Sequence, residues 1–450
     1  MKIVIKNGRV IDPYNNIDSK LNIVILDGKI LELTPYDVDG DINIDATNLI
    51  VCPGFIDIHM HEDLYHEEHD YIETDIAKTM LKMGVTTCIG GNCGINTNDP
   101  LVYLDAVDRL KLPVNLGLMA GHTGIRSKIG ALDKYKNIGN DDIKKIQYIV
   151  SKYLDGGCIG LSFGIRYVPG ITEEELLESA KPCKRDNKII CAHVRDDAKY
   201  IIPATMELIN IAKKLEIPIQ NSHIGSMGGY GQMEELLRLL DSVKASGIDL
   251  TNDCYPYYAF STGIGETTYD DGFLERYNIG YDSIEISEGK YKGQRCTKEI
   301  FDELRKYAPE TITIGHVMKP EDIDMALLHP NVIIASDGFL HKGQGHPRAA
   351  GTFPRFIANY TKKNKIGLYE SINKMTTMPA KKLGLSNKGN FSKGSDADIV
   401  IFSYENIKDN ATFENPIKSP TGIEYVLIDG SIALKDGEIV NDKLGISVRK

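Results

Sequence analysis

The middle of the chain repeats one pattern eight times: a short apolar run ending in polar residues, in most cases followed by a segment with helical spacing. The runs are GFIDIH (54–59), VTTCIG (85–90), VNLGLMAG (114–121), CIGLSFG (158–164), IICAHV (189–194), IPIQNSH (217–223), IDLTNDCY (248–255) and VIIASD (332–337). Between most of them lie segments such as DDIKKIQYIVSKYLD and MEELLRLLDSVKAS, with apolar residues three and four apart. Near-continuous apolar strands alternating with amphipathic helices specify a parallel sheet covered on its faces. Eight of them predict a closed (β/α)₈ TIM barrel. The run TITIGHV (311–317) exceeds that count and is assigned to an insertion between the seventh and eighth strands.

The ends have a different texture. KIVIKNGRVID and NIVILDGKILEL, then DADIVIF, EYVLIDG and IALKDGEIV, are β-branched runs punctuated by Asn-Gly and Asp-Gly. Those dipeptides are hairpin signals. The expected organisation is a small β-sandwich domain from 1–53 and 391–450, and a catalytic barrel over 54–390 with an insertion at about 262–310. A length of 450 residues suits a barrel plus a smaller unit. The composition, 42% hydrophobic and 26% charged with a net charge of −11, supports a folded core and shows no basic patch for nucleic acid or an anionic membrane. The N-terminal apolar run is too short for a secretory leader, and no stretch is apolar enough to span a bilayer. The eight cysteines are scattered with no Cys-x-x-Cys pair, as expected of reduced thiols in the cytoplasm.

Polar residues able to bind metal gather at the C-terminal ends of the predicted strands, where barrel enzymes carry their active sites. His59 and His61 follow the first strand two residues apart, on one side of an extended chain. Cys93 lies in GGNCGIN after the second strand, its glycines permitting a sharp turn; a thiolate is a good zinc ligand. His193 and His223 end the fifth and sixth strands, and Asp337 ends the eighth. A carboxylate closing an apolar strand needs a cation, a metal or a proton. His122 and Arg126 (GHTGIR), Tyr167 (SFGIRYVPG), Tyr255 and Tyr257 (CYPYY), Arg195, Arg348 and Arg355 follow other strands and are candidates to line a pocket for a polar, anionic molecule.

FIDIHMH, the strand-end histidines and the Asp after the eighth strand resemble the amidohydrolase superfamily. GGNCG, GHTGIR, CAHVRDD, CYPY, ASDG and HPRAAGTFPR look like its D-aminoacylase group, the N-acyl-D-amino acid deacylases, over nearly the whole chain. The resemblance implies a tight zinc site of Cys93, His193 and His223, and a second, weaker site of His59, His61 and Asp337. Many superfamily members bridge two metals through a carboxylated Lys on the fourth strand; CIGLSFG has none. The resemblance also implies that Arg348 and Tyr255 contact a substrate carboxylate; Arg195 is expected among the substrate-binding residues. One position departs from the group, which carries a Lys two residues after the sixth-strand His; here that residue is Gly225.

The implied reaction is hydrolysis of a linear amide in a small molecule. Zinc lowers the pKa of water from about 15.7 towards roughly 7. Asp337 moves the proton, and His122 or Tyr167 donates to the developing oxyanion. The alternatives are hydrolysis of a cyclic amide, as in hydantoinases and dihydroorotases, or of a D-amino-acid-containing peptide. A non-catalytic protein with one structural zinc would leave Asp337 and two histidines without purpose.

Overall fold

The computed structural model describes residues 1–185 and 187–450. The eight runs form parallel strands in chain order: Phe55–Asp57, Val85–Gly90, Asn115–Leu118 continued by Ala120–Gly121, Gly160–Gly164, Ile189–His193, Ile219–Asn221, Leu250–Cys254 and Val332–Ile334. The third strand is interrupted at Met119; its first part pairs with the second strand and its second part with the fourth. The ring closes just beyond the last strand. Asp337 N–H donates to the His59 carbonyl (2.7 Å), and His61 N–H donates to the Gly338 carbonyl (2.9 Å). Helices such as Asn140–Asp155, Ile201–Leu215 and Met233–Ala245 lie between the strands and bury one face each.

Both chain ends build one continuous sheet of nine strands. Its junction is antiparallel pairing of Ile50–Pro53 with Ile399–Phe402. Ile3, Ile5, Ile23 and Ile25 share a buried cluster there with Ile399, Ile401 and Leu427. Asp27-Gly28, Asp429-Gly430 and Asp436-Gly437 all have positive φ and make the tight turns their sequence signals. Asn7-Gly8 does not turn the chain. Asn7 (φ 65°) forms a register shift inside the single strand Lys2–Asp12, and a Cβ on Gly8 would stand 2.4 Å from a Val51 methyl. The last residues return to the barrel, where Val448 is buried among Ile56, Ile89, Met119 and Ile159.

Between the seventh and eighth barrel strands the chain makes a separate antiparallel sheet. Ile312–Gly315, from the run at 311–317, lies in its middle, flanked by Phe260–Gly263 and Ile284–Ile286. This sheet forms one wall of the pocket over the barrel mouth. Among the described residues no helix is long and apolar enough to cross a membrane. All eight cysteines are buried.

Candidate metal centre and active site

The strand ends bring five of the six expected ligands close around Cys93. Its Sγ lies 3.4 Å from His223 Nε2, 3.5 Å from His59 Nε2 and 3.9 Å from His193 Nδ1. Asp337 Oδ1 lies 3.5 Å from His59 Nε2 and 3.2 Å from His61 Nε2. Donor atoms of His59, Cys93, His223 and Asp337 all fall within 4.8 Å of one another. Tetrahedral zinc with ligand bonds of 2.0–2.3 Å holds its donors roughly 3.3–3.6 Å apart. Several of these separations match that spacing before any ion is considered, and thiolate, imidazole and carboxylate are the donors zinc takes. Cys93 faces ligands of both expected sets, placing its sulfur between the two sites.

Local backbone geometry aims the ligands. Cys93 (φ 51°), His223 (φ 33°) and Asp337 (φ 48°) all occupy the left-handed region. Non-glycine residues are uncommon there and cluster at functional sites. The Cys93 loop is anchored by Glu62, whose carboxylate accepts from Gly91 N–H (2.6 Å) and Thr97 N–H (3.0 Å), and by Ser162, which accepts from Gly94 N–H (3.0 Å). A Cβ on Gly94 would sit 2.6 Å from Gly164 N, so the loop packs directly on the fourth strand.

The buried groups bias one another's charge. Burial alone would raise the Cys93 thiol, but His223 and His59 outweigh it and hold it well below its ordinary value. Burial would likewise raise Asp337; Arg348 and His223 reverse that, keeping it ionised. Burial works against protonation of His61, yet Asp337 and Cys93 bring it up to about 9. His193 falls to about 4 through burial and the neighbouring His223, which leaves its imidazole neutral and fit to ligate.

Asp253, on the seventh strand, is a site residue that the sequence pattern did not single out. Its carboxylate accepts from His223 N–H (2.7 Å) and Gln220 Nε2 (2.8 Å) and lies 3.3 Å from His59 Nδ1. A proton on Nδ1 directs the lone pair of His59 Nε2 towards Cys93 and Asp337. The available signal was a carboxylate inside the apolar run IDLTNDCY. Asp253→Asn is expected to weaken zinc binding by about 10–100-fold, read by chelator competition; unchanged affinity would remove Asp253 from the centre.

Above the ligands is a pocket of about 310 Å³ that Tyr167, Tyr255, Arg348 and Phe339 help to line. Arg348, 4% exposed, opens the helix Arg348–Phe356; its guanidinium lies 4.6 Å over the Tyr255 ring, with Nη1 3.0 Å from Asp337 Oδ2. Arg348 Nε and the Tyr255 hydroxyl are buried with no hydrogen-bond partner among the described residues. Tyr167 packs edge-on against His193, ring centroids 4.6 Å apart.

Two expected site residues are corrected. His122 is fully buried against Phe163, with Nε2 3.3 Å from Ser179 Oγ and 3.4 Å from Glu175. Burial and Arg126 lower it to about 3, and it does not line the pocket. It starts the helix His122–Lys128, and that turn carries the ring into the protein. Arg195 also lies outside the pocket. Its guanidinium binds Glu207 (2.8 Å) and the carbonyls of Pro169 and Ile171, leaving no fork for a substrate. Among the softer candidates, Arg126 pairs with Glu175, while Arg355 and Tyr257 both meet Asp409. At Gly225 a Cβ would stand 2.7 Å from Cys254 Sγ, so a side chain there requires a local shift.

Two amidohydrolase family models match the chain, one over residues 50–225 and the other over 326–434, together more than half its length. The D-aminoacylase of Alcaligenes xylosoxydans xylosoxydans is 28% identical over 95% of this chain and 93% of its own. A D-aminoacylase crystal structure, described as defining a novel subset of amidohydrolases, superposes with a TM-score of 0.89 at 26% identity, covering 100% of this chain and 99% of its own. The N-acyl-D-glutamate deacylase of Bordetella bronchiseptica, solved with zinc and a phosphonate inhibitor, shares the fold with a TM-score of 0.88 at 23% identity over 100% of this chain and 99% of its own. The barrel, its strand-end cluster of donor residues and these matches define the class: the chain belongs to the amidohydrolase superfamily. Within it, the chain is a member of the D-aminoacylase group.

Proposed function

We propose that the protein is a zinc-dependent deacylase that splits an N-acyl-D-amino acid into a carboxylate and a free D-amino acid. The observation that carries this reading is the pairing of Arg348 with Asp337 over Tyr255 at the pocket wall, with Arg348 Nε and the Tyr255 hydroxyl lacking partners among the described residues. An arginine fork suits an amino-acid carboxylate because it can donate to both oxygens. The D configuration rests on the likeness to the D-aminoacylase of Alcaligenes xylosoxydans xylosoxydans, and zinc on the donor set together with the zinc complex of the glutamate deacylase.

Cys93, His193 and His223 would hold zinc, which when bound would supply Lewis acidity for the scissile carbonyl and for water at neutral pH. His59, His61 and Asp337 form the second, weaker set. Asp337, kept ionised by Arg348, takes the proton of the attacking water and delivers it to the leaving nitrogen. Tyr167, its hydroxyl kept protonated by burial and the nearby Cys93, donates to the developing oxyanion. Arg348 and Tyr255 hold the substrate carboxylate. The fourth strand, Gly160–Gly164, offers no Lys for a carboxylated bridge, which favours the linear amide over a cyclic one. A small-molecule substrate and eight buried cysteines accord with a cytoplasmic enzyme.

Turnover of N-acetyl-D-amino acids, N-acetyl-L-amino acids and hydantoins by zinc-loaded protein tests the reading. The D-acyl series is expected to react; exclusive turnover of the L series or of hydantoins would overturn it. Arg348→Ala is expected to lower kcat/KM for the acids by about 10–100-fold, the effect of losing one or two charge-assisted hydrogen bonds. The corresponding carboxamides should lose far less, and equal losses on both in a folded variant would refute carboxylate binding by Arg348.

A further inference from the structure

His346, two residues before Arg348, is 1% exposed and does not line the pocket. Both of its ring nitrogens are nevertheless committed. Arg348 N–H donates to Nδ1 (3.0 Å), and Nε2 lies 3.1 Å from the Ala259 carbonyl. A nitrogen that accepts from a backbone N–H carries no proton, and one that faces a carbonyl must carry one. The two partners therefore fix a single neutral tautomer. Burial and the Arg348 charge hold the imidazole well below its ordinary range, in keeping with that form. The ring is wedged edge-on against Tyr257 and Phe413, with both centroids 5.1 Å away, and Tyr255 lies behind it at 5.9 Å.

The first bond gives the arginine an anchor that its own helix cannot. Pro347 has no N–H, so Arg348 supplies the first N–H of the helix Arg348–Phe356, and no carbonyl inside the helix can accept it. His346 Nδ1 accepts it instead. Arg348 has particular need of an anchor. Its guanidinium stands at the positive end of that helix, where a cation is disfavoured, and its Nη1 lies 3.0 Å from a rival anion, Asp337 Oδ2. A main chain free to shift would let the fork close on Asp337 with two nitrogens and leave fewer for a substrate. The second bond reaches Ala259, immediately before the insertion strand Phe260–Gly263. One imidazole thus joins the main chain of the arginine to the start of the insertion.

We propose that His346 is a positioning residue for substrate binding: by tying the Arg348 main chain to the Ala259 carbonyl it holds the guanidinium in the geometry that pairs Nη1 with Asp337 and keeps Nε for the substrate carboxylate. The proposal rests on Arg348 binding that carboxylate.

The test compares zinc-loaded parent, His346→Leu, His346→Asn and His346→Gln on N-acetyl-D-Met and on its carboxamide. Leu fills similar space and makes neither bond. It is expected to raise KM for the acid by about tenfold, as loss of a buried hydrogen bond would, with kcat changed less than KM and the carboxamide far less affected. Asn can set its amide oxygen where Nδ1 stands, accepting from the N–H two residues on as Asn does in turns; it should recover most of the acid-to-carboxamide ratio. Gln reaches the Ala259 carbonyl but offers Arg348 N–H no acceptor at the Nδ1 position, and should recover less than Asn. Equal losses on acid and carboxamide in a folded His346→Leu, or an Asn variant no better than Leu, would show a merely structural residue and overturn the proposal. Where the Leu variant does not fold, the two amides decide: Gln equal to or better than Asn overturns it. Arg348→Ala measured alongside separates the two readings. If it spares the acid, carboxylate binding by Arg348 falls and the role of His346 with it; if it is selective for the acid while the His346 variants are not, only the role of His346 falls.

Discussion

Asp337→Asn is expected to retain zinc and lose turnover by about 10²–10⁴-fold, the range removed with a general acid–base. The amide cannot take a proton from water, yet its carbonyl oxygen can still accept from Arg348 Nη1, which now lies 3.0 Å from the carboxylate. Cys93, His193 and His223 are untouched, so metal analysis should find the tight ion at parental stoichiometry. Burial pushes the Asp337 carboxyl up, but Arg348 and His223 bring it well below the ordinary carboxylate range. The parent therefore keeps its base through neutral and mildly acidic pH. A variant with near-parental kcat would exclude Asp337 as the proton carrier.

The second large effect is expected at Cys93. Cys93→Ala should weaken zinc by more than the roughly 10–100-fold that follows loss of an outer-sphere partner, because the donor itself is removed. The Cys93 sulfur lies within 3.9 Å of nitrogens of His59, His193 and His223 alike, so its loss affects both sets of ligands. Zinc content after dialysis against a weak chelator should drop to a minor fraction, and activity with it. Parental stoichiometry under that competition would mean that the metal is held elsewhere.

The sequence made the cluster of donor residues legible because each lies at or just past the end of a barrel strand, and eight parallel strands carry their ends to one mouth. His59, His61, Cys93, His193, His223 and Asp337 needed only the strand count to be assembled. His122 met the same criterion and went elsewhere: the helix that begins at His122 turns its ring towards Glu175 and Ser179, a direction that strand spacing does not encode. Arg195 found Glu207 twelve residues on, a pairing fixed by how the following helix packs. Asp253 was hidden by being one polar residue among several in its run, and its role depends on His59 and His223 arriving from other strands. Asn7-Gly8 shows the same limit in the terminal sheet. The dipeptide suits a hairpin, but pairing with Ile17–Leu26 on both sides of it leaves only a bulge. The insertion wall is likewise non-local, its strands pairing in the order 260, 312, 284.

The left-handed backbone at Cys93, His223 and Asp337 has a consequence for how this fold can evolve. Each such non-glycine residue costs on the order of 1–3 kcal/mol, and glycine would relieve it. Selection for thermal robustness alone would therefore favour glycine at these three positions, and the same substitutions would erase the chemistry. Efforts to harden this scaffold by consensus or random screening should find a trade-off concentrated at three loops.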